Sequence, residues 1–327
     1  MKRFSLPERQ RGVAVITALL LTALVITVVA SLFWQQQVQV RSMENQRLRL
    51  QTQWAMRGMV DFARFWLRQD NPSQTAADGV WATPIEEARL DDYVDREKVD
   101  TEKFDATVSG RALDAQARFN ISNLVAATGG INPKQVLAFQ RLLSNLRLDS
   151  GLAQATADAV LRAKPKPRAM DSGSDGKTPA AAPTTSATGG GSEPVAFTQV
   201  EDLLAVPGYT PQLIEKLRDF VIILPELTPV NVNTAPAEVL AAVTMMSLSE
   251  ASALTLSNPR KKFVDLANFK NNINAELIAS VELDVKSRYF LTVIRVRLDR
   301  AALDAVALVN RKTDPQRTTS LVWLREN

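Results

Sequence analysis

The sequence predicts an α+β protein in which a long N-terminal helix packs on a small antiparallel sheet that is interrupted by a large, mostly α-helical insertion. Three observations carry this. Residues 13–34 form one uncharged apolar run, and no proline follows it until Pro72. Strand-like patterns lie near residues 105–119 and again after Ser287, on both sides of a helical middle. That middle contains two pairs of similar segments in the order A, B, A, B, which indicates a duplicated helical unit.

Composition narrows the possible chemistry. With 46% hydrophobic and 23% charged residues, the 327-residue chain is that of an ordinary globular protein and is long enough to bury a sizeable core. Cysteine and histidine are both absent, which excludes disulfides, thiol nucleophiles, thiolate zinc sites and imidazole bases. No paired acids stand at a convincing catalytic spacing, so an enzyme is not expected. The pI near 9.4 is a local effect. Lys2, Arg3, Arg9 and Arg11 against Glu8 give residues 1–12 a net charge of +3, leaving +1 of the chain's +4 for everything that follows. Whole-domain basicity is therefore no argument for a polyanionic partner.

Residues 13–34 match the roughly 20 apolar residues that cross a hydrocarbon core about 30 Å thick as a helix. The run is too long for the apolar part of a secretory signal and lacks the small-residue cleavage site after it. Its small residue, Gly12, comes before it. A basic leader ending in glycine directly before the span is the pattern cut by prepilin peptidases, here between Gly12 and Val13. An uncleaved anchor with a loop glycine is the plainer reading. Both leave the basic leader in the cytoplasm and export the rest. Beyond the span, Val40, Met43, Leu50, Trp54, Phe62 and Phe65 recur at helical spacing. One helix is expected from residue 13 to about residue 68, its second half packed on a soluble domain.

In that domain, the pieces ATVSG and DAQARF read as two short strands around Gly110. The C-terminal segments SRYFLTVIRVRL, AVALVNR and SLVWLR read as a hairpin and an edge strand, with residues 299–304 as the connection. Residues 164–196 are dense in Pro, Gly, Ser, Thr and Ala and read as a flexible surface loop. Within them Asp171, Gly173, Asp175 and Gly176 imitate the start of an EF-hand loop, but Ala182 stands where a bidentate glutamate is needed. The expected organisation is a leader at 1–12, a membrane-spanning part at 13–34, the first part of the sheet domain at 35–119, the insertion at 120–286 and C-terminal strands at 287–327.

The A segments are RFNISNLVAATGGINPKQVLAF from Arg118 and PVNVNTAPAEVLAAV from Pro229. In the second, Thr234 is expected to cap a helix, with Pro236 in its first turn and Glu238 at the positive end of its dipole. The B segments open on Phe197 and Phe263. The second A segment resembles the helix-hairpin-helix modules of DNA-uptake and repair proteins, whose glycine-rich turn offers backbone N–H groups to phosphate. Here the turn is VTMMSLSEA, without glycine, and only Pro207-Gly208-Tyr209 keeps part of such a motif. This predicts a retained fold without the phosphate cradle. The alternative is a minor pilin of a DNA-uptake system that binds DNA through these units.

The leader, the half-embedded helix and the span resemble the type IV pilin and pseudopilin superfamily. The usual glutamate at the fifth mature position is replaced by Thr17. Together with RFNISNL, VNVNTAPAEVLAAV, the Ser/Gly/Pro loop and SRYFLTV, in that order, the chain resembles the minor pseudopilin K family of type II secretion. The resemblance implies a pilin-like fold with a large inserted helical domain. It implies a single-pass inner-membrane protein with its C-terminal domain in the periplasm, cleaved by the prepilin peptidase and N-methylated at Val13. It implies minor pseudopilins I and J, other pseudopilins and possible secreted cargo as partners, with no nucleic acid, and a place at the tip of the pseudopilus, initiating or capping it. The missing glutamate suits a subunit with no neighbour beyond it. No cofactor is implied except calcium, which some members bind in the helical domain; its ligands do not map onto carboxylates here. Mass measurement of the chain from its native membrane should find an N-terminus at Val13 carrying a methyl group; an intact Met1 would contradict the leader reading.

Overall fold

The computed structural model describes residues 10–89, 106–164, 196–257, 260–273, 282–312 and 317–326. The loop expected at 164–196 lies outside the described residues except at its two ends, and its EF-hand-like fragment lies outside them entirely. Helix α1, Gln10–Gln69, runs unbroken for 60 residues, about 90 Å at 1.5 Å per residue. A loop follows, and Trp81 in it is buried against Leu67 and Phe290. Strand β1 (Ile85–Arg89) and strand β2 (Ala106–Asp114) come next. Sequence reading missed β1, because IEEAR has no apolar alternation. Nor does Gly110 separate two strands: β2 passes straight through it, and the residues after Asp114 form a short 3₁₀ turn.

The insertion then contains β3 (Phe119–Asn120), α2 (Pro133–Asn145), α3 (Leu152–Ala163), α4 (Pro211–Leu217), β4 (Val221–Ile222), β5 (Val230–Asn231), α5 (Ala237–Thr244), α6 (Leu248–Thr255), α7 (Leu266–Asn272) and β6 (Leu283–Asp284). The chain returns through β7 (Tyr289–Leu298), β8 (Ala301–Arg311) and β9 (Thr319–Glu326). The expected connection at 299–304 shrinks to Asp299 and Arg300, with Asp299 in the left-handed region at φ 51°. Residues 301–304 are already paired in β8.

One five-stranded sheet of order β1-β2-β7-β8-β9 results, every neighbour antiparallel. The register between β2 and β7 runs from Ala106↔Leu298 to Asp114↔Phe290 without a break. Strand exit and re-entry therefore face each other, and everything between them projects from one end of the sheet. Phe119, expected with the first part of the sheet domain, instead pairs with Val221 inside the insertion.

The position of that end follows from α1. Arg300, in the β7–β8 turn, pairs with Glu44 at 3.4 Å, whereas Arg311 at the other end of β8 reaches Asp70 at 2.9 Å. The β7–β8 turn thus lies toward the apolar span, and the insertion lies at the end farthest from it. The inner face of the sheet packs Val108, Ile294, Val296 and Ala307 on Met56, Met59 and Val60 of α1. The insertion has its own core, in which Phe119 and Phe139 stack with centroids 5.3 Å apart.

Truncating Phe139→Ala should cost about 3–5 kcal/mol by leaving a cavity in that core. Trp54→Ala on the exposed side of α1 should change stability by less than about 0.5 kcal/mol. Denaturant titration of the detergent-solubilised chain separates the two cases.

Candidate functional site

Two features stand out: the back of α1, and the joint between sheet and insertion. The residues of α1 that bury on the sheet are Thr52, Met56, Met59, Val60 and Leu67. Stepping 100° per residue, Val40, Met43, Leu50, Trp54 and Phe65 fall on the opposite side. All five are exposed, Trp54 at 67%. The apolar periodicity read from the sequence is real, but it marks the helix face turned away from the domain. The buried face was less legible because it relies on methionine, valine and threonine. Arg57 lies over the Trp54 ring at 5.1 Å and Arg68 over the Phe65 ring at 6.0 Å, so the stripe is edged by basic side chains. It continues the exposed apolar surface of the span beyond the membrane.

Gly12, Val13 and Thr17 all lie in α1. The Thr17 hydroxyl is 3.0 Å from the carbonyls of Val13 and Ala14, and Thr22 and Thr27 likewise donate to Leu19 and Leu24. These three threonine hydroxyls are satisfied by their own helix. In hydrocarbon an unpaired polar group is costly, and here none of these three needs a neighbour's group to relieve it.

The joint begins where α1 ends. Arg311, 1% exposed, donates to Asp70 Oδ2 at 2.9 Å, Leu67 O at 3.4 Å, Thr75 Oγ1 at 2.9 Å and Ser287 O at 3.1 Å. Its guanidinium also stacks on Phe290 at 4.7 Å. An acid after a helix C-terminus opposes the dipole, and Arg311 offsets it while satisfying a last-turn carbonyl. Beside this pair sits Asp114, 6% exposed at the end of β2. It accepts from Gln116 N at 2.8 Å, Ser287 Oγ at 2.6 Å, Thr234 Oγ1 at 2.6 Å and Asn231 Nδ2 at 2.8 Å. Burial pushes the Asp114 carboxyl above its ordinary value, and the four donors only partly offset this. Thr234 therefore does not cap α5 as the sequence suggested; its hydroxyl serves the buried carboxylate, and Pro236 is the N-cap residue.

The helical hairpin α5–α6 shows why its turn is no phosphate cradle. Met245 occupies a left-handed position, φ 64°, of the kind that favours glycine. At the start of α6, Glu250 Oε2 accepts from Ser247 N at 2.8 Å and Ser247 Oγ at 2.7 Å. A carboxylate of the chain itself fills the place an anion would take. Among the described residues no group of three or more His, Cys, Asp or Glu is disposed to hold a metal, and all the contacts of Asp114 named above are donors.

Comparisons with known proteins point to one family. Two profiles described as type II secretion system (T2SS), protein K match residues 117–226 and 230–286, together just over half the chain. The type II secretion system protein K of Pseudomonas aeruginosa is 28% identical over 93% of this chain and 90% of its own. The protein of the same description from Pectobacterium carotovorum subsp. carotovorum is 26% identical over 89% of each. A chain in the crystal structure of the GspK-GspI-GspJ complex from the enterotoxigenic Escherichia coli type 2 secretion system has the same fold, with a TM-score of 0.64. It is 19% identical, and the match covers 87% of this chain and 99% of that one.

Removing one partner of the buried pair, as in Arg311→Ala, should destabilise the chain by about 3–5 kcal/mol, read by denaturant titration. Because the folded pKa of Asp114 is raised, its contribution to stability is fully present below the unfolded value of 3.8 and is lost as pH rises through the folded value. The stability of Asp114→Asn relative to the parent should accordingly improve as pH climbs across that window.

Proposed function

This chain belongs to the type II secretion system protein K family, and we propose that it is the tip subunit of a pseudopilus, initiating and capping the fibre rather than forming its shaft. The single observation that carries the reading is the site of the insertion. It emerges between β2 and β7 at the end of the sheet beside Asp70, the end farthest from the apolar span. A fibre grows by stacking subunits along their helices, and a domain of this bulk above the sheet leaves no room for another subunit there.

The remaining parts take matching roles. The span holds the chain in the inner membrane before assembly, with the leader in the cytoplasm and the sheet and insertion in the periplasm. Prepilin peptidase cleaves between Gly12 and Val13, and the new terminus is methylated. Thr17, replacing the usual glutamate, brings no charge into lipid, where an ionised group costs roughly 2.5–3.5 kcal/mol by insertion scales. No neighbour beyond the tip is required to neutralise it. The exposed stripe from Val40 to Phe65 receives the helices of neighbouring subunits; the crystallised complex of the similar fold supports minor pseudopilins I and J as the partners. Extending the apolar contact past the membrane stabilises such a pairing by about 25 cal/mol per Å² buried before ordering costs are subtracted. The function is structural: position, shape and a greasy helix face, with no reaction step in it.

The test is co-purification of the full-length chain with I- and J-type pseudopilins from detergent extracts. The parent should retain both. Trp54→Glu combined with Phe65→Glu should lose them while unfolding at the same denaturant concentration. Absence of any pilin-like partner from the parent would overturn the reading.

A further inference from the structure

The two repeats carry the same latch, used once inside the insertion and once to fasten it. In the first, β3 pairs in parallel with β4, Asn120 beside Ile222. In the second, β5 pairs in parallel with β6, Asn231 beside Asp284. The two asparagines occupy equivalent positions, and each reaches past its partner strand to the segment that leaves the repeat. Asn120 accepts from Leu224 N at 3.1 Å and donates to Glu226 O at 2.8 Å and Thr228 Oγ1 at 3.0 Å, holding the connection into the second repeat. Asn231 donates to Ser287 Oγ at 2.9 Å, on the connection into β7. It also reaches Asp114 Oδ2 at 2.8 Å and Thr75 O at 3.0 Å, both on the sheet domain.

The surroundings make the second latch a three-way junction. Thr75 N donates to Val285 O at 2.8 Å, and Ser287 N donates to Thr75 Oγ1 at 3.1 Å. Gln116 binds Arg288 N at 2.7 Å through its oxygen and Pro229 O at 3.0 Å through its nitrogen. Ile222 and Leu224 of the insertion pack with Tyr289, Leu291 and Leu308 of the sheet. The apolar contact is non-directional, whereas the buried hydrogen bonds admit one geometry.

We propose that the Asn231–Asp114 junction is a rigid joint that fixes the attitude of the insertion relative to α1, and that pseudopilus capping requires this attitude and not merely the presence of the insertion. The functional half rests on the tip-subunit reading above. The first repeat, latched by Asn120 to the connection into the second, meets the sheet mainly through the non-directional contact of Ile222 and Leu224, so the hydrogen-bonded junction is what sets the direction of the insertion.

The chain has no cysteine, so paired spin labels can be introduced without background. In the full-length chain in detergent, Arg57→Cys with Leu137→Cys reports α1 against the insertion. Leu137→Cys with Lys216→Cys reports the insertion alone. Both pairs should give one narrow distance in the parent background. Asn231→Ala combined with Thr234→Val should cost the first pair its single narrow distance and leave the second unchanged. Asp114→Ala, made from the sheet side, should do the same and serves if the first variant does not fold. A first pair that stays narrow in either folded variant would overturn the joint, as would a second pair that broadens with the first. Cells carrying a loosened chain should lose secretion while the chain still co-purifies with pseudopilins; secretion at the parental level would overturn the functional half. A parent that retains no pseudopilin partner would instead strike the tip-subunit reading itself.

Discussion

Withdrawing ionised groups from water costs several kcal/mol each unless nearly every polar atom finds a partner, and this chain accepts that cost at the end of its sheet. Arg311 and Asp70 close the C-terminus of α1 onto β8. Asp114, a few residues away in space, gathers donors from the turn after β2, from the second repeat and from the strand entering β7. The four donors come from three separate stretches of chain, so none of these stretches can shift without weakening the hold on a buried carboxyl. The order of the molecule from span to helix end, sheet end and insertion is set there.

This arrangement explains how a small sheet domain carries an insertion larger than itself. The antiparallel register of β2 and β7 brings the two ends of the insertion together, so closing that long excursion demands no distortion of the sheet. Duplication then supplies the means of attachment: an asparagine that in one repeat binds its successor binds the sheet domain in the other. The face of α1 left uncovered by the domain is the one that continues the span, which separates the surface used for folding from the one proposed for assembly.

Much of this was legible in sequence, and the failures share a cause. The helix, the interrupted sheet and the A, B, A, B order follow from periodicity and repetition, which are local properties. Thr234 looked like a cap because its neighbours Pro236 and Glu238 are typical of a helix start; that its hydroxyl would meet Asp114, 120 residues earlier, is a tertiary fact. Of the six periodic apolar positions, Val40, Met43, Leu50, Trp54 and Phe65 share one exposed face turned away from the domain, while Phe62 lies off it, half-buried and stacked on Trp66; periodicity gives a direction and not what lies in it. The weight of Arg311 was invisible, because an arginine at a strand end usually points to solvent. A hint existed in Asp70 and Asp114, acids placed at the ends of apolar elements.

The central claim is positional: the chain ends a fibre, with its insertion outermost. Electron cryotomography of pseudopili carrying a gold label on a single cysteine introduced as Leu137→Cys measures this directly. One label per fibre, at the end farthest from the inner membrane, is the expected result; labels repeating along the shaft, or confined to the membrane end, would contradict it.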